Sequence, residues 1–234
     1  MALIERNLPN PLSSVIRTLS RFAGQRKWIP AVYLCLLSGV LALGAKHATP
    51  AETQGSVAAA PQYTKSGDLV PPLDYRRWVY LTSGLDMSYS AKSGGMSRFD
   101  NVFASPAAYS QFVATGHWPE KTILVLEVRG AASKGSINKN GHCQTSNLMG
   151  MEVHVRDSSR FPASQYPGGW AFFDVASKSK ATLIPQTADC YRCHQAHGAV
   201  DTTFVQFYPT LLPIATQMGT LSTTYQAEAS GKNP

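Results

Sequence analysis

Asn147-Leu-Met-Gly-Met-Glu-Val-His-Val-Arg156 alternates apolar and polar side chains almost without a break. A period of two is that of an extended strand. It sets Met149, Met151, Val153 and Val155 on one face and Glu152, His154 and Arg156 on the other. The methionines read as core residues, and His154 reads as part of a solvated polar face. Working outward, Thr122-Ile-Leu-Val-Leu-Glu-Val-Arg129 is rich in branched residues between Pro119 and Gly130, and Trp170-Ala-Phe-Phe-Asp-Val175 follows Gly168-Gly169. Both read as further strands. Ser105 to Gly116 carries a capping serine, Pro106 in the first turn and a terminating glycine, the signature of a helix. The expected fold class is mainly β (α+β), an antiparallel sheet with flanking helices.

The chain has 234 residues, 44% hydrophobic and 10% aromatic, too apolar for a disordered polymer. Its formal charge of +7 would ordinarily suggest nucleic acid or an acidic membrane as a partner. The charge is unevenly placed. Residues 1–50 hold six basic side chains against Glu5 alone, leaving 15 basic and 13 acidic residues for the remainder. A body so close to neutral gives nucleic acid no grip. The positive charge instead precedes Trp28 to Ala45, eighteen residues without a charged side chain. A basic region followed by an apolar run marks export, as a cleaved signal peptide or an uncleaved membrane anchor at 28–45. The expected location is periplasmic or otherwise extracytoplasmic. Cys35, inside the run, is not read as a lipidation site. The expected organisation is 1–48 as that segment, 49–70 as a flexible linker, 71–218 as the globular domain and 219–234 as a frayed polar tail.

Cys190-Tyr-Arg-Cys193-His194 is C-x-x-C-H. On a helix, thiols three positions apart share a face, so both can add to the two vinyl groups of one haem. The histidine that follows can then turn its imidazole to the iron. The reading is one covalently attached haem c on a C-terminal attachment helix, with Cys190 and Cys193 as anchors and His194 as axial ligand. A thioredoxin-type dithiol would call for a βαβ background, which is absent. A zinc site would need His142 and Cys143, and adjacent ligands are geometrically awkward. Cys143 reads as a free buried thiol. For the sixth iron position, Met218, Met149, Met151 and His154 are the available side chains, and none stands out. His197 reads as a surface residue of the attachment helix; His117 and His142 lie in turn-like segments. The iron is left five- or six-coordinate.

Further stretches carry a resemblance. They are Asp74-Tyr-Arg-Arg-Trp78, Asn101-Val-Phe-Ala-Ser-Pro106, Thr115-Gly-His-Trp-Pro119, Gly150-Met-Glu152, Val155-Arg-Asp157, Arg160-Phe161, Gly169-Trp-Ala-Phe-Phe173 and Asp201-Thr-Thr-Phe-Val-Gln-Phe-Tyr-Pro209. With the haem motif between the last two, they cover nearly all of 71–213 in one order. In this the chain resembles the cytochrome P-460 family, which includes the cytochromes c′-beta. The resemblance implies a mainly antiparallel β domain, c-type haem, His194 as proximal ligand and an open distal position for small nitrogenous or gaseous ligands. It also implies a redox partner protein and a possible homodimer. Members that oxidise hydroxylamine carry a lysine cross-linked to the haem edge. Leu126 stands in its place, and Lys121 has the opposite strand parity and lies too far along to substitute. The distal basic residue of those members is not matched either; Asp100 is nearest. Glu152, Leu126 and Phe103 are the distal candidates. The leading expectation is a five-coordinate haem that binds or converts nitric oxide or hydroxylamine-like molecules. The alternatives are a six-coordinate electron carrier and hydroxylamine oxidation through an unusual cross-link.

Overall fold

A computed structural model describes residues 60–89, 95–134 and 138–231. The apolar stretch 28–45 and Cys35 lie outside the described residues. Six strands, β1 (Val79–Leu85), β2 (Arg98–Ala104), β3 (Ile123–Ser133), β4 (His142–Arg156), β5 (Trp170–Ser177) and β6 (Lys180–Leu183), form one sheet in sequence order. Each neighbouring pair is antiparallel. Four helices flank it: α1 (Pro106–Thr115), α2 (Asp189–His197), α3 (Leu212–Met218) and α4 (Thr223–Ala229). The expected fold class holds. Helix α1 begins after Ser105 with Pro106 in its first turn. It ends where Gly116 takes a left-handed φ of 73°, open to glycine without steric cost.

Strand register divides the sheet into two faces. Val102, Leu126 and Glu152 form one cross-strand row, and Ala104, Leu124, His154 and Phe172 form the next. The alternate residues, Phe103, Val125, Val153 and Phe173, make the corresponding row on the back. Val125, Val153 and Phe173 are almost completely buried, and Met151 and Val155 join them as expected. Fully burying one such side chain is worth about 1.5–3 kcal/mol. Through two irregularities, between Val128 and Arg129 and between Arg129 and Ala131, the β3–β4 ladder continues to pair Ser133 with His142, so both strands run further than their apolar patterns foretell.

The back face also carries a buried polar knot. Glu127, 1% exposed, accepts hydrogen bonds from the Tyr75 hydroxyl, from Arg76 and from Arg129 Nε at 2.7 Å. Asn101 reaches the same carboxylate at 3.3 Å and exchanges amide bonds with Gln144. Burial alone would raise the Glu127 pKa. The hydrogen bonds from Arg129 and Tyr75, with the charges of Arg76 and Arg129, outweigh it and hold the carboxyl below the usual glutamate value.

Three expectations are corrected. Residues 60–70 are not all tether: Leu69 is 1% exposed and bridges both Tyr63 and Ala181. The segment after Gly219 is not simply frayed, because α4 forms there. Ser222 caps it by accepting from Tyr225 N, and Glu228 hydrogen-bonds His197. Cys143 is exposed rather than buried, since the outer half of β4 extends beyond the packed core.

Two measurements follow from this architecture. Leu69→Ala should cost about 2–5 kcal/mol in denaturant unfolding, as deletion of a buried leucine does; a true linker residue would cost nothing. A depressed folded-state pKa gives stability that is present above the unfolded glutamate value of about 4.3 and lost as pH falls through the folded one. Unfolding free energy should therefore decline on acidification below about pH 4, and Glu127→Gln should flatten that part of the profile.

Candidate haem site

The motif lies on α2, and one side chain sets the phase of that helix. Tyr191, 2% exposed, stacks on Phe172 of β5 with centroids 4.4 Å apart and planes 15° from parallel. Its hydroxyl accepts from Phe172 N at 3.0 Å and donates to the Ile184 carbonyl at 3.2 Å. With Tyr191 inward, Arg192 points to solvent, while Cys193 and His194 turn into a cleft. Cys190, one turn earlier, is half-buried against the core. Burial pushes both thiols up, with the charge of Glu152 adding to the effect at Cys190 and that of Glu228 at Cys193. That is the reverse of what activates a dithiol nucleophile. Among the described residues no group of three or more His, Cys, Asp or Glu side chains is arranged to hold a metal ion. His142 and Cys143 sit at the outer end of β4 and do not line the cleft.

His194 is packed between aromatic rings: Phe204 at 4.2 Å, Phe172 at 4.7 Å and the edge of His154 at 5.2 Å. Burial drives its pKa down to about 3, with the neighbouring His154 adding to the effect, so the imidazole is neutral. Nδ1 lies 2.9 Å from the Thr202 carbonyl oxygen. A carbonyl can only accept, so Nδ1 carries the proton and Nε2 keeps its lone pair. This is the tautomer a metal-ligating histidine requires.

The carbonyl is presented by an unusual turn. Asp201 (φ 47°) and Thr202 (φ 57°) are consecutive left-handed residues between Val200 and Thr203, which hydrogen-bond each other. Non-glycine residues in this region cost of order 1–3 kcal/mol each, and a β-branched threonine there is a genuine outlier. The turn closes against the end of α2 because residue 198 is glycine. A Cβ there would lie 2.6 Å from both the His194 carbonyl oxygen and the Thr202 carbonyl carbon.

The cleft measures about 670 Å³, within the range of about 300–1,000 Å³ usual for cofactor sites. Its floor is the sheet face that carries Val102, Leu124, Leu126, Val128, Glu152 and His154; α2 and Phe204, Phe207 and Tyr208 cover it. Arg98 and Asp100 project from β2 and pair at 3.4 Å. Burial raises the Asp100 pKa, and Glu152 on the same sheet face adds to it. Glu152 is shifted down by its contact with His154, at 3.4 Å. Two carboxyls in one wall are thus pushed in opposite directions.

The structure brings Glu152 and Leu126 into the cleft beside Cys193 and His194. Phe103 is not there. Its odd strand position puts it on the back face, edge-on to Tyr75 at 5.3 Å and Tyr80 at 5.7 Å. His154 is not solvated: its side chain is 12% exposed and its ring lies 4.1 Å from Phe172. Met218 is exposed at the end of α3 and does not line the cleft. His197, taken for a plain surface residue, is half-buried and stacks on Tyr89 at 4.1 Å. Arg98 escaped sequence reading although it shares strand parity with Asp100 and Val102; that parity was the available signal. A basic residue thus lines the cleft two positions upstream of Asp100.

A cleft of cofactor size beside a C-x-x-C-H helix suits a haem-binding cytochrome. The chain belongs to the cytochrome P460 family, whose sequence model matches residues 72–205, more than half of its length. No curated protein matches it.

Tyr191→Phe would leave the buried Phe172 N–H without its acceptor. A loss of about 1–3 kcal/mol in thermal or denaturant unfolding is expected, with the ring stack retained.

Proposed function

We propose that the chain is an exported mono-haem c-type cytochrome. Cys190 and Cys193 hold the haem through thioethers, His194 ligates the iron through Nε2, and the opposite position is open to nitric oxide or a hydroxylamine-like molecule. The observation that carries this reading is the His194 tautomer: a buried neutral imidazole donates from Nδ1 to a backbone carbonyl and keeps its Nε2 lone pair, at the wall of a cleft of cofactor size. The C-x-x-C-H spacing supports covalent attachment, and the basic, apolar amino terminus supports export to a compartment where a redox partner would exchange electrons with it.

When bound, the haem supplies a metal centre for small-ligand binding and one-electron exchange. The chain's own residues do the rest. Leu124, Leu126 and Val128 keep part of the floor dry and exclude water. Arg98 offers a fixed positive charge in the cleft, paired with the Asp100 carboxylate, whose pKa burial shifts upward. Glu152, held as a carboxylate beside His154, can accept a proton at Oε2. Leu126 has no nucleophilic nitrogen, so no cross-link to the haem edge can form at this position.

Optical spectra of the ferric, ferrous and nitric-oxide-treated ferrous protein test the reading. A ferrous five-coordinate spectrum that shifts on adding nitric oxide is expected; a six-coordinate spectrum unmoved by it would overturn the open position. Replacing both cysteines by serine should make the haem extractable into acidified organic solvent. His194→Ala should abolish the axial ligand signature. Mass spectrometry of the tryptic haem peptide should find attachment through Cys190 and Cys193 only.

A further inference from the structure

We infer that Asp201 is a positioning residue for the axial histidine: its carboxylate anchors the strained turn whose Thr202 carbonyl orients and polarises His194. The inference rests on the proposal that His194 ligates the haem iron, and concerns how the protein sets the strength of that ligand.

The turn is unfavourable in isolation, since two successive non-glycine residues are left-handed and the second is β-branched. A glycine at 202 would relieve it, yet the sequence has threonine. Such a conformation persists only where the surroundings over-determine it, and here the anchors are explicit. Asp201 Oδ2 accepts from Trp118 N at 2.8 Å and from Arg156 Nη1 at 2.9 Å, while Oδ1 lies 3.1 Å from His117 Nδ1. Arg156 also donates to the Trp118 carbonyl, and Trp118 Nε1 donates to Thr203 Oγ1 at 2.9 Å. Thr202 Oγ1 reaches the Pro167 carbonyl at 3.3 Å. One carboxylate thus ties the turn to the loop after α1 and to the end of β4. The Thr202 carbonyl emerges from this clamp 2.9 Å from His194 Nδ1.

Firm donation from Nδ1–H to a fixed carbonyl makes the imidazole a stronger donor at Nε2 and favours the oxidised metal. If the turn relaxes, the carbonyl withdraws and the imidazole becomes a weaker ligand. The effect travels through geometry: Asp201 touches neither the imidazole nor the cleft wall.

Holoprotein variants Asp201→Ala, Asp201→Asn and Arg156→Ala should be compared with wild type by resonance Raman of the ferrous state and by redox titration. The iron–histidine stretching band should shift to lower frequency, and the reduction potential should shift upward. Asp201→Ala should show the largest changes, with Asp201→Asn intermediate because an amide oxygen can still accept from Trp118 N. Leu69→Ala serves as a control that destabilises the fold elsewhere and should leave both readings in place. If Asp201→Ala does not accumulate, Arg156→Ala and Asp201→Asn carry the test alone. Unchanged band and potential in the folded variants would overturn the inference, as would equal shifts in Leu69→Ala. A wild-type protein without histidine-ligated haem would overturn the proposed ligation itself, and is told apart because it shows no such band or ligation at the outset.

Discussion

Pairing of β3 with β4 governs both faces of the sheet. The register that sets Leu126 opposite Glu152 also sets Glu127 opposite Met151. A slip of one residue would either carry Glu127 and Arg129 into the cleft, away from Tyr75 and Arg76, or turn Glu152 and His154 into the apolar core. Neither arrangement is tolerable: a buried carboxylate without partners costs several kcal/mol, and a cleft floor without apolar residues would not exclude water. The polar knot on the back therefore helps fix the register of the floor on the front. Asn101 and Arg129, remote from any chemistry, hold the cleft residues in phase.

Helix α2 depends on that sheet and adds constraints of its own. His154 and Phe172 are cross-strand partners, and both lie against His194. The sheet thus supplies half of the hydrophobic box that keeps the imidazole neutral, and the segment after α2 supplies Phe204 as another wall. Burial and tautomer act together. A buried imidazole without the Thr202 carbonyl would be neutral but free to choose either nitrogen for its proton. With the carbonyl it has one choice.

The sheet was legible in the sequence because period-two alternation is a local property that strand pairing reinforces. Three strands, α1 with its Ser105 and Gly116 boundaries, and the C-x-x-C-H helix could be read directly. The family stretches also signalled that Thr115–Pro119 and Asp201–Pro209 matter. What they could not convey is that Trp118 and Asp201 touch, since a contact between residues 83 positions apart leaves no local pattern. Similar reasons hid the rest. His154 looked solvated because polar alternation is the same whether the polar face meets water or lines a cleft. Phe103 reads as a distal candidate only if its parity, which opposes that of Val102, is set aside. The polar composition of 219–231 concealed a short helix held by its Ser222 cap, a histidine–glutamate bond and the apolar contacts of Leu221 and Tyr225 alone.

The two residues enclosed by the cysteines are commonly treated as interchangeable spacers. Here they are opposites. Tyr191 is a joint, stacked on the sheet and hydrogen-bonded at both ends of its hydroxyl. Arg192 is open, its side chain 78% exposed and paired only with the equally exposed Asp189, a contact that contributes little. A chain grafted with the C-x-x-C-H motif of another protein would accept a foreign residue at the second spacer and reject most at the first. The motif is therefore not a portable cassette: its first spacer belongs to the sheet beneath it.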